Sequence, residues 1–276
     1  MKSSIKSLFY IFDHPLQHHQ LHDFRSQFKE LKGLVYNRDD EGNNIYGYPS
    51  IQFRVHEGNA AVFAINKGAD AIEKLVKNRS LPVISKELNH SFALNKLTGN
   101  NFNFYRLYRW IPLDERYFPN NTIEQLLEND LTESETDILS DHEINGHNGF
   151  STKEKQGISN SVKPWNEMFM DEKVKSLEKI LVSNIIEFAQ GMNWQISKNK
   201  SLRVRLHDIH HVNKVKLYGK TVLSFDVTYA SNVSLPDHLS LGRGKSVGYG
   251  WQLMSEHNDE MKKLLKTPVR SKAKVL

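Results

Sequence analysis

The sequence predicts an α+β protein of two domains separated by an acidic insertion, and three observations lead there. Residues up to about 115 read in order as strand, helix, hairpin, helix and strand, the order of a ferredoxin-like fold. Residues 167–255 open with a singly striped amphipathic helix and continue as alternating strands into a glycine-rich loop. Between them the composition changes: ten carboxylates and one arginine stand from Asp114 to Glu143, a local charge of −9. Since the whole chain carries +5, the remainder carries +14. A basic body of that size suits a polyanionic partner, though charge also serves solubility.

At 276 residues the chain is long enough for two compact domains, each with its own core. Hydrophobic residues make up 38% and charged residues 25%, as in ordinary soluble proteins. No apolar run reaches the length of a membrane span, so no membrane partner is expected. There are no cysteines, which excludes disulfides and thiolate metal sites and makes a cytoplasmic location the expectation.

Ile5–Phe12 is broken by Lys6 and ends in Asp13-His14-Pro15, so it reads as a first strand and not as a signal segment. Leu21, Phe24, Phe28 and Leu31 then recur at helical spacing, predicting an amphipathic helix over residues 16–32 that ends at Gly33. His14, His18 and His22 recur four apart along it, with His19 beside them. Imidazoles at that spacing can bind zinc or supply a general base. Only Asp23 is placed to add a carboxylate, so the row reads better as solvated or phosphate-facing, and no metal is expected.

A polar loop from Tyr36 to Asn44 leads into the strand Tyr46–His56, with Ile51, Phe53 and Val55 on one face and Gln52, Arg54 and His56 on the other. Gly58 supplies a turn, Ala60–Ile65 returns as the hairpin partner, and Ala69–Lys77 reads as a helix. Asn103–Ile111 is expected to close this first sheet. The domain so defined is residues 1–115. In the insertion, residues 116–166, Thr122 with Gln125 and Thr132 with Glu135 fit capping boxes, and the rest has the composition of a connector. Such a segment is either simply solvated or a cover over the basic groove.

From Asp171 a helix carries Val174, Leu177, Leu181, Ile185 and Phe188 on one side, with Gly191 as its C-cap. Leu202–His207 alternates strictly, placing Arg203, Arg205 and His207 on one face, and Val212–Leu217 carries Lys214 and Lys216 in the same fashion. Thr221–Tyr229 is a further strand, and Met254–Lys266 reads as a helix leading into the basic tail, residues 256–276. Between them lies Gly242-Arg243-Gly244-Lys245-Ser246-Val247-Gly248-Tyr249-Gly250. Glycine at this density implies a sharply bent or closely approached backbone, and bare amides beside two cations suit a phosphate; a turn between strands is the alternative.

Leu223–Leu241, running directly into that loop, resembles the C-terminal signature of the CRISPR repeat-RNA processing endoribonucleases. Tyr48–Arg54 with Gly58–Val62, Tyr105–Leu113 and Leu177–Gly191 resemble further segments of that family, in the same order. The resemblance implies two tandem ferredoxin-like (RRM-like) domains, and makes Arg54, Arg203, Arg205, Lys214, Lys216, Gly242, Arg243, Gly244, Lys245, Ser246, Gly248 and Gly250 candidates for RNA binding. It implies CRISPR repeat RNA as partner, with other CRISPR effector subunits or a second copy of the chain, and no cofactor.

The implied reaction is metal-free: the ribose 2′-hydroxyl attacks the adjacent phosphate, leaving a 2′,3′-cyclic phosphate and a 5′-hydroxyl. It calls for a base, an acid and cations near phosphorus. Relatives carry histidines just before the Tyr48-Pro49 strand, whereas this chain reads Val35-Tyr36-Asn37-Arg38. Arginine cannot serve as a base, and a tyrosine hydroxyl, with a pKa of ~10, stays protonated at neutral pH. Tyr36 can orient or donate, Arg38 can stabilise charge, and His18, His19 or His22 is left to supply the imidazole. The chain is therefore either such an endoribonuclease or an RNA-binding relative that no longer cuts.

Overall fold

Residue alternation in the first strand decides how the first domain is layered. In β1 (Ser3–Pro15) Leu8, Tyr10 and Phe12 point one way, and Ile5, Phe9 and Ile11 the other. The computed structural model describes residues 3–36, 47–95, 101–113, 117, 163–196 and 202–256. Arg38, most of the acidic insertion and the helix expected beyond Met254 lie outside these.

Leu8, Tyr10 and Phe12 pack with Ile51 and Phe53 of β2 (Ile51–His56) and with Ala60, Val62 and Ala64 of β3 (Asn59–Ile65). Over them lie α1 (Leu21–Ser26), through Leu21 and Phe24, and α3 (Lys67–Arg79), through Ala69, Ile72, Leu75 and Val76. The continuous helix expected over residues 16–32 is instead broken into one-turn 3-10 segments, α1 and the short α2 (Lys32–Tyr36). Gly33 falls inside α2 and does not end a helix. His14 remains on β1 and His18 lies in a 3-10 turn, so the four-residue spacing does not stack the imidazoles on one helix.

β4 (Val83–Leu94) completes the first sheet in the order β2-β3-β1-β4, antiparallel throughout. This corrects the expected closing strand. Asn103–Trp110, β5, belongs to the second sheet, where it pairs with β7 (Lys220–Ser231) and β8 (Trp251–Met254). β4 escaped the sequence because it is an edge strand with Lys86, Glu87, Asn89 and His90 exposed or half-exposed, and a bulge against β1 between Ile5 and Ser7 interrupts its alternation.

The second sheet runs β6-β7-β5-β8, with β6 (Val204–Leu217) as a fourteen-residue edge strand carrying two register shifts. In chain order this is again strand, helix, hairpin and final strand, so two ferredoxin-like sheets stand in tandem. α4 (Met170–Gly191) buries Leu177, Leu181, Ile185, Phe188 and Ala189, close to the predicted stripe. Its first turn is closed by Glu172, whose carboxylate accepts the Phe169 N–H at 2.8 Å. The second helix of the fold is replaced by the irregular segment 232–250, which buries Val233, Leu235, Leu239 and Leu241.

That segment joins the halves. Ile5, Phe9, Phe63 and Ile65 of the first sheet share one core with Tyr105, Leu107, Trp110, Leu235 and Leu239 of the second. Tyr48 donates to the Ser240 carbonyl, and Gln52 both donates to Tyr48 Oη at 2.8 Å and accepts the Ser240 N–H at 3.0 Å. Among the described residues no helix is long and apolar enough to cross a membrane.

Candidate functional site

The glycine loop is held by its own backbone. Gly242, Gly244, Gly248 and Gly250 have φ of +84°, +66°, +91° and +68°, a region that side chains disfavour. Leu241 donates to the Gly250 carbonyl at 2.6 Å, Val247 to Gly244 at 2.9 Å, and Arg243 to Ile111 at 3.2 Å. A Cβ on Gly250 would lie 1.9 Å from the Leu241 carbonyl oxygen, and one on Gly242 2.7 Å from the Trp110 ring. Gly242, Gly248 and Gly250 are buried, so packing explains these three candidates. The backbone amides of Gly244, Lys245 and Ser246 donate no hydrogen bond among the described residues. Only this tip has the form of an anion nest.

The tip closes a cavity of about 280 Å³ that Val35, Pro49, Asn184, Glu187 and Tyr218 also line. Lys245 Nζ is 2.5 Å from Glu187 Oε1, and its side chain lies 5.5 Å above the Tyr48 ring. Arg243 Nη1 donates to the Leu113 carbonyl at 3.3 Å. Asn184 accepts the Trp110 indole N–H at 3.0 Å, leaving its amide nitrogen as a donor. The cavity is thus a half-neutralised cationic pocket with hydrogen-bond donors on two walls.

Sequence reasoning did not single out Asn184, Glu187 or Tyr218. The first two stand three apart on α4, which puts them on one helix face, away from the apolar stripe that drew attention. Tyr218, at φ +51°, occupies the hairpin turn with Gly219, at φ +75°, and is 66% exposed; Tyr218-Gly219 was the available turn signal.

The catalytic candidates are placed unevenly. Tyr36 is the last residue of α2, one position after the cavity-lining Val35. His18, His19 and His22 do not line the cavity. Their segment nevertheless adjoins the loop, because a Cβ on Gly248 would meet Leu21 Cδ2 at 2.9 Å. His14 packs against Phe24, with ring centroids 5.2 Å apart. No group of three His, Cys, Asp or Glu among the described residues is arranged to hold a metal ion.

Arg54 departs from its expected role. It is fully buried and donates to the His238 carbonyl, and burial lowers its pKa to about 9. A side chain sealed between the sheets makes no surface contact with RNA; its alternating position pointed at the other domain and not at solvent. Arg203, Arg205, Lys214 and Lys216 are exposed as expected. They do not share one face, because Arg205 pairs opposite Ala230 whereas Lys214 pairs opposite Leu223. Ala230 and Leu223 point to opposite sides of β7. Arg205 also approaches Glu178 at 3.7 Å, and Arg203 lies 5.1 Å above the Phe102 ring.

Comparison with known proteins gives this geometry a family. The chain resembles the crystal structure of a Cas6b protein with a TM-score of 0.61 at 16% identity, covering 91% of this chain and 100% of that one. A crystal structure described as the CRISPR RNA processing endoribonuclease Cas6b gives 0.56 at 17% identity, covering 92% and 100%. The type IV Cas6 crRNA endonuclease Csf5 gives 0.53 at 12%, covering 91% and 99%. Among curated proteins no sequence matches. The Cas6b N-terminal domain profile matches residues 3–103 and the Cas6b C-terminal domain profile matches residues 159–253, so the chain belongs to the Cas6b family.

Proposed function

We propose that this chain is a CRISPR RNA processing endoribonuclease that cuts repeat RNA by attack of a ribose 2′-hydroxyl, without a metal ion. The observation that carries the reading is the meeting of the glycine-loop tip, two cationic side chains and the end of α2 at one cavity, in a chain of the Cas6b family. The scissile phosphate sits at the amides of Gly244–Ser246, with Arg243 and Lys245 supplying charge. Glu187 holds Lys245 until a phosphate competes for it.

The proton leaves the 2′-oxygen for a base as the O2′–P bond forms. The P–O5′ bond breaks, and the 5′-oxygen takes a proton from an acid. Tyr36 ends α2 next to the cavity-lining Val35 and Arg38 follows two residues on in the sequence; in this reading Tyr36 orients or donates, and Arg38 offsets the phosphorane charge. His22 is the first choice for the base, with His18 and His19 next.

A second reading is supported by one observation: among the described residues no imidazole lines the cavity. A chain without a positioned base would bind repeat RNA and leave it uncut, acting as a subunit of a ribonucleoprotein. Incubating the full chain with end-labelled repeat hairpins in EDTA separates the two. Products ending in 2′,3′-cyclic phosphate support the nuclease, and a tight uncut complex supports the binding subunit.

A further inference from the structure

α4 packs on the face of the second sheet that carries Tyr105, Leu107 and Trp110. The alternate residues, Phe104, Arg106 and Tyr108 of β5 with Trp251 and Leu253 of β8, form the other face, and all but Phe104 remain half-exposed. Tyr108 and Trp251 are cross-strand partners whose rings stack at 4.3 Å and 20°. Trp251 is also approached by the buried Arg54 guanidinium, 5.5 Å from its ring centroid, and by His56 at 6.1 Å. The Arg106 guanidinium lies 5.5 Å from the Tyr108 ring centroid, and Arg106 Nε is buried with no hydrogen-bond partner among the described residues.

The surroundings are rich in donors. Arg106, Arg109 and Arg205 share this region with His207, His210 and His211, against Asp208, Asp226 and Glu178, the last 3.7 Å from Arg205. The two aspartates are engaged: Asp226 accepts the Arg109 backbone N–H at 2.7 Å, and Asp208 lies 3.3 Å from His210. The patch is also continuous with the glycine loop. Trp251 follows Gly250 directly, and from Tyr108 the chain passes Arg109, whose guanidinium lies 5.0 Å above the Tyr249 ring, to Ile111, the acceptor of the Arg243 N–H.

We propose that this face is a stacking platform for one unpaired RNA base, which lies on the open side of Tyr108 while the Arg106 guanidinium turns to the neighbouring phosphate. The proposal rests on the RNA-binding reading above and adds a subsite for a single-stranded segment beyond the phosphate nest. Aromatic rings on an uncovered sheet face stack bases without regard to sequence, and a cationic rim holds the backbone.

The test uses the full chain and short oligoadenylate. Trp251 is the half-exposed tryptophan, while Trp110, Trp165 and Trp194 are buried, so oligoadenylate should quench indole emission in the unmodified chain. Tyr108→Leu should weaken oligoadenylate about tenfold with the salt dependence unchanged, and Tyr108→Phe should keep full affinity. Unquenched emission, or a folded Tyr108→Leu chain that binds oligoadenylate as the unmodified chain does, overturns the platform. If Arg243→Ala/Lys245→Ala still weakens a repeat hairpin in that case, the RNA-binding reading survives on its own. A chain that binds neither oligoadenylate nor a repeat hairpin refutes both.

Discussion

Arg54 of β2 donates its Nη2 proton to the carbonyl of His238, 184 residues further along the chain, and so ties the first sheet to the segment that replaces a helix in the second domain. The guanidinium, itself fully buried, also lies 5.7 Å from the Phe9 ring and 5.5 Å from the Trp251 ring. Arg54→Met should destabilise the protein by about 2–4 kcal/mol, because it orphans a buried carbonyl and removes a well-packed side chain. Urea unfolding measures the loss. RNA affinity of the folded fraction should stay unchanged, and a large fall in affinity alone would return Arg54 to the RNA-contact list.

His238 stacks on Phe9 at 3.7 Å, and its pKa is lowered to about 3 by burial first and then by Arg54 and His56. Glu87, 3.4 Å from Nε2, is the nearest carboxylate. The folded value lies below the unfolded value of ~6.5, so the stability contribution is complete above that pH and is lost as pH falls towards 3. His238→Phe keeps the ring stack and removes the proton site. Its unfolding free energy should therefore vary less steeply than that of the unmodified chain between about pH 6 and 3.5, by up to about 1.4 kcal/mol per pH unit. Equal slopes would show that His238 is charged in the folded state.

The loop glycines should rank by what surrounds them. Gly250→Ala brings Cβ to 1.9 Å from the backbone oxygen of Leu241 and should cost several kcal/mol, of the order of 3 or more. Gly244→Ala meets no backbone, only the Tyr249 ring at 2.8 Å and the Leu217 side chain at 3.2 Å, so it adds displacement of that ring to the ~1–2 kcal/mol of left-handed backbone strain and should still cost less than Gly250→Ala. Thermal and urea unfolding of the two variants give the order directly.

Arg243→Ala/Lys245→Ala should lower repeat-RNA affinity and flatten its log–log salt dependence by up to about 1.8, the value for two phosphate contacts on duplex scaling, and by less on a single strand. Unfolding midpoints control for the lost Lys245–Glu187 pair, which is partly exposed and of modest worth. An unaltered slope would leave the loop as a structural turn.

If the chain cuts, Arg38→Ala should slow cleavage by ~10²-fold or more while leaving RNA binding nearly intact. His22→Ala should remove the neutral-pH limb of the rate profile. Should a folded His14/His18/His19/His22→Ala protein still cut at full rate, the base lies elsewhere.

What the sequence made legible follows from the range of the forces involved. The α4 stripe and the β2–β3 hairpin were readable because one element's periodicity already decides which side is buried. The place of β5 was not, because pairing with β7 rather than with the first sheet is set by partners more than a hundred residues away. Arg54 was misplaced for a related reason: period-two alternation names a face but not what covers it. In the loop, glycine density marked the bend correctly, yet only coordinates separate the tip, whose amides are open, from Gly242, Gly248 and Gly250, which packing requires.

Phe53 of β2 receives the loop as a neighbour, donating to the Ser246 carbonyl at 3.4 Å and pairing in parallel with Val247. β2 is an edge strand of the first sheet, so its outer rim is met by residues that are synthesised long after it. Until those residues are made, the nascent first domain carries an open rim, the kind of surface on which two growing chains can pair. The same late arrival ties the covering of that rim to assembly of the glycine loop. A chain cut before residue 242 loses the loop and with it this contact on β2, so the rim and the loop are completed together.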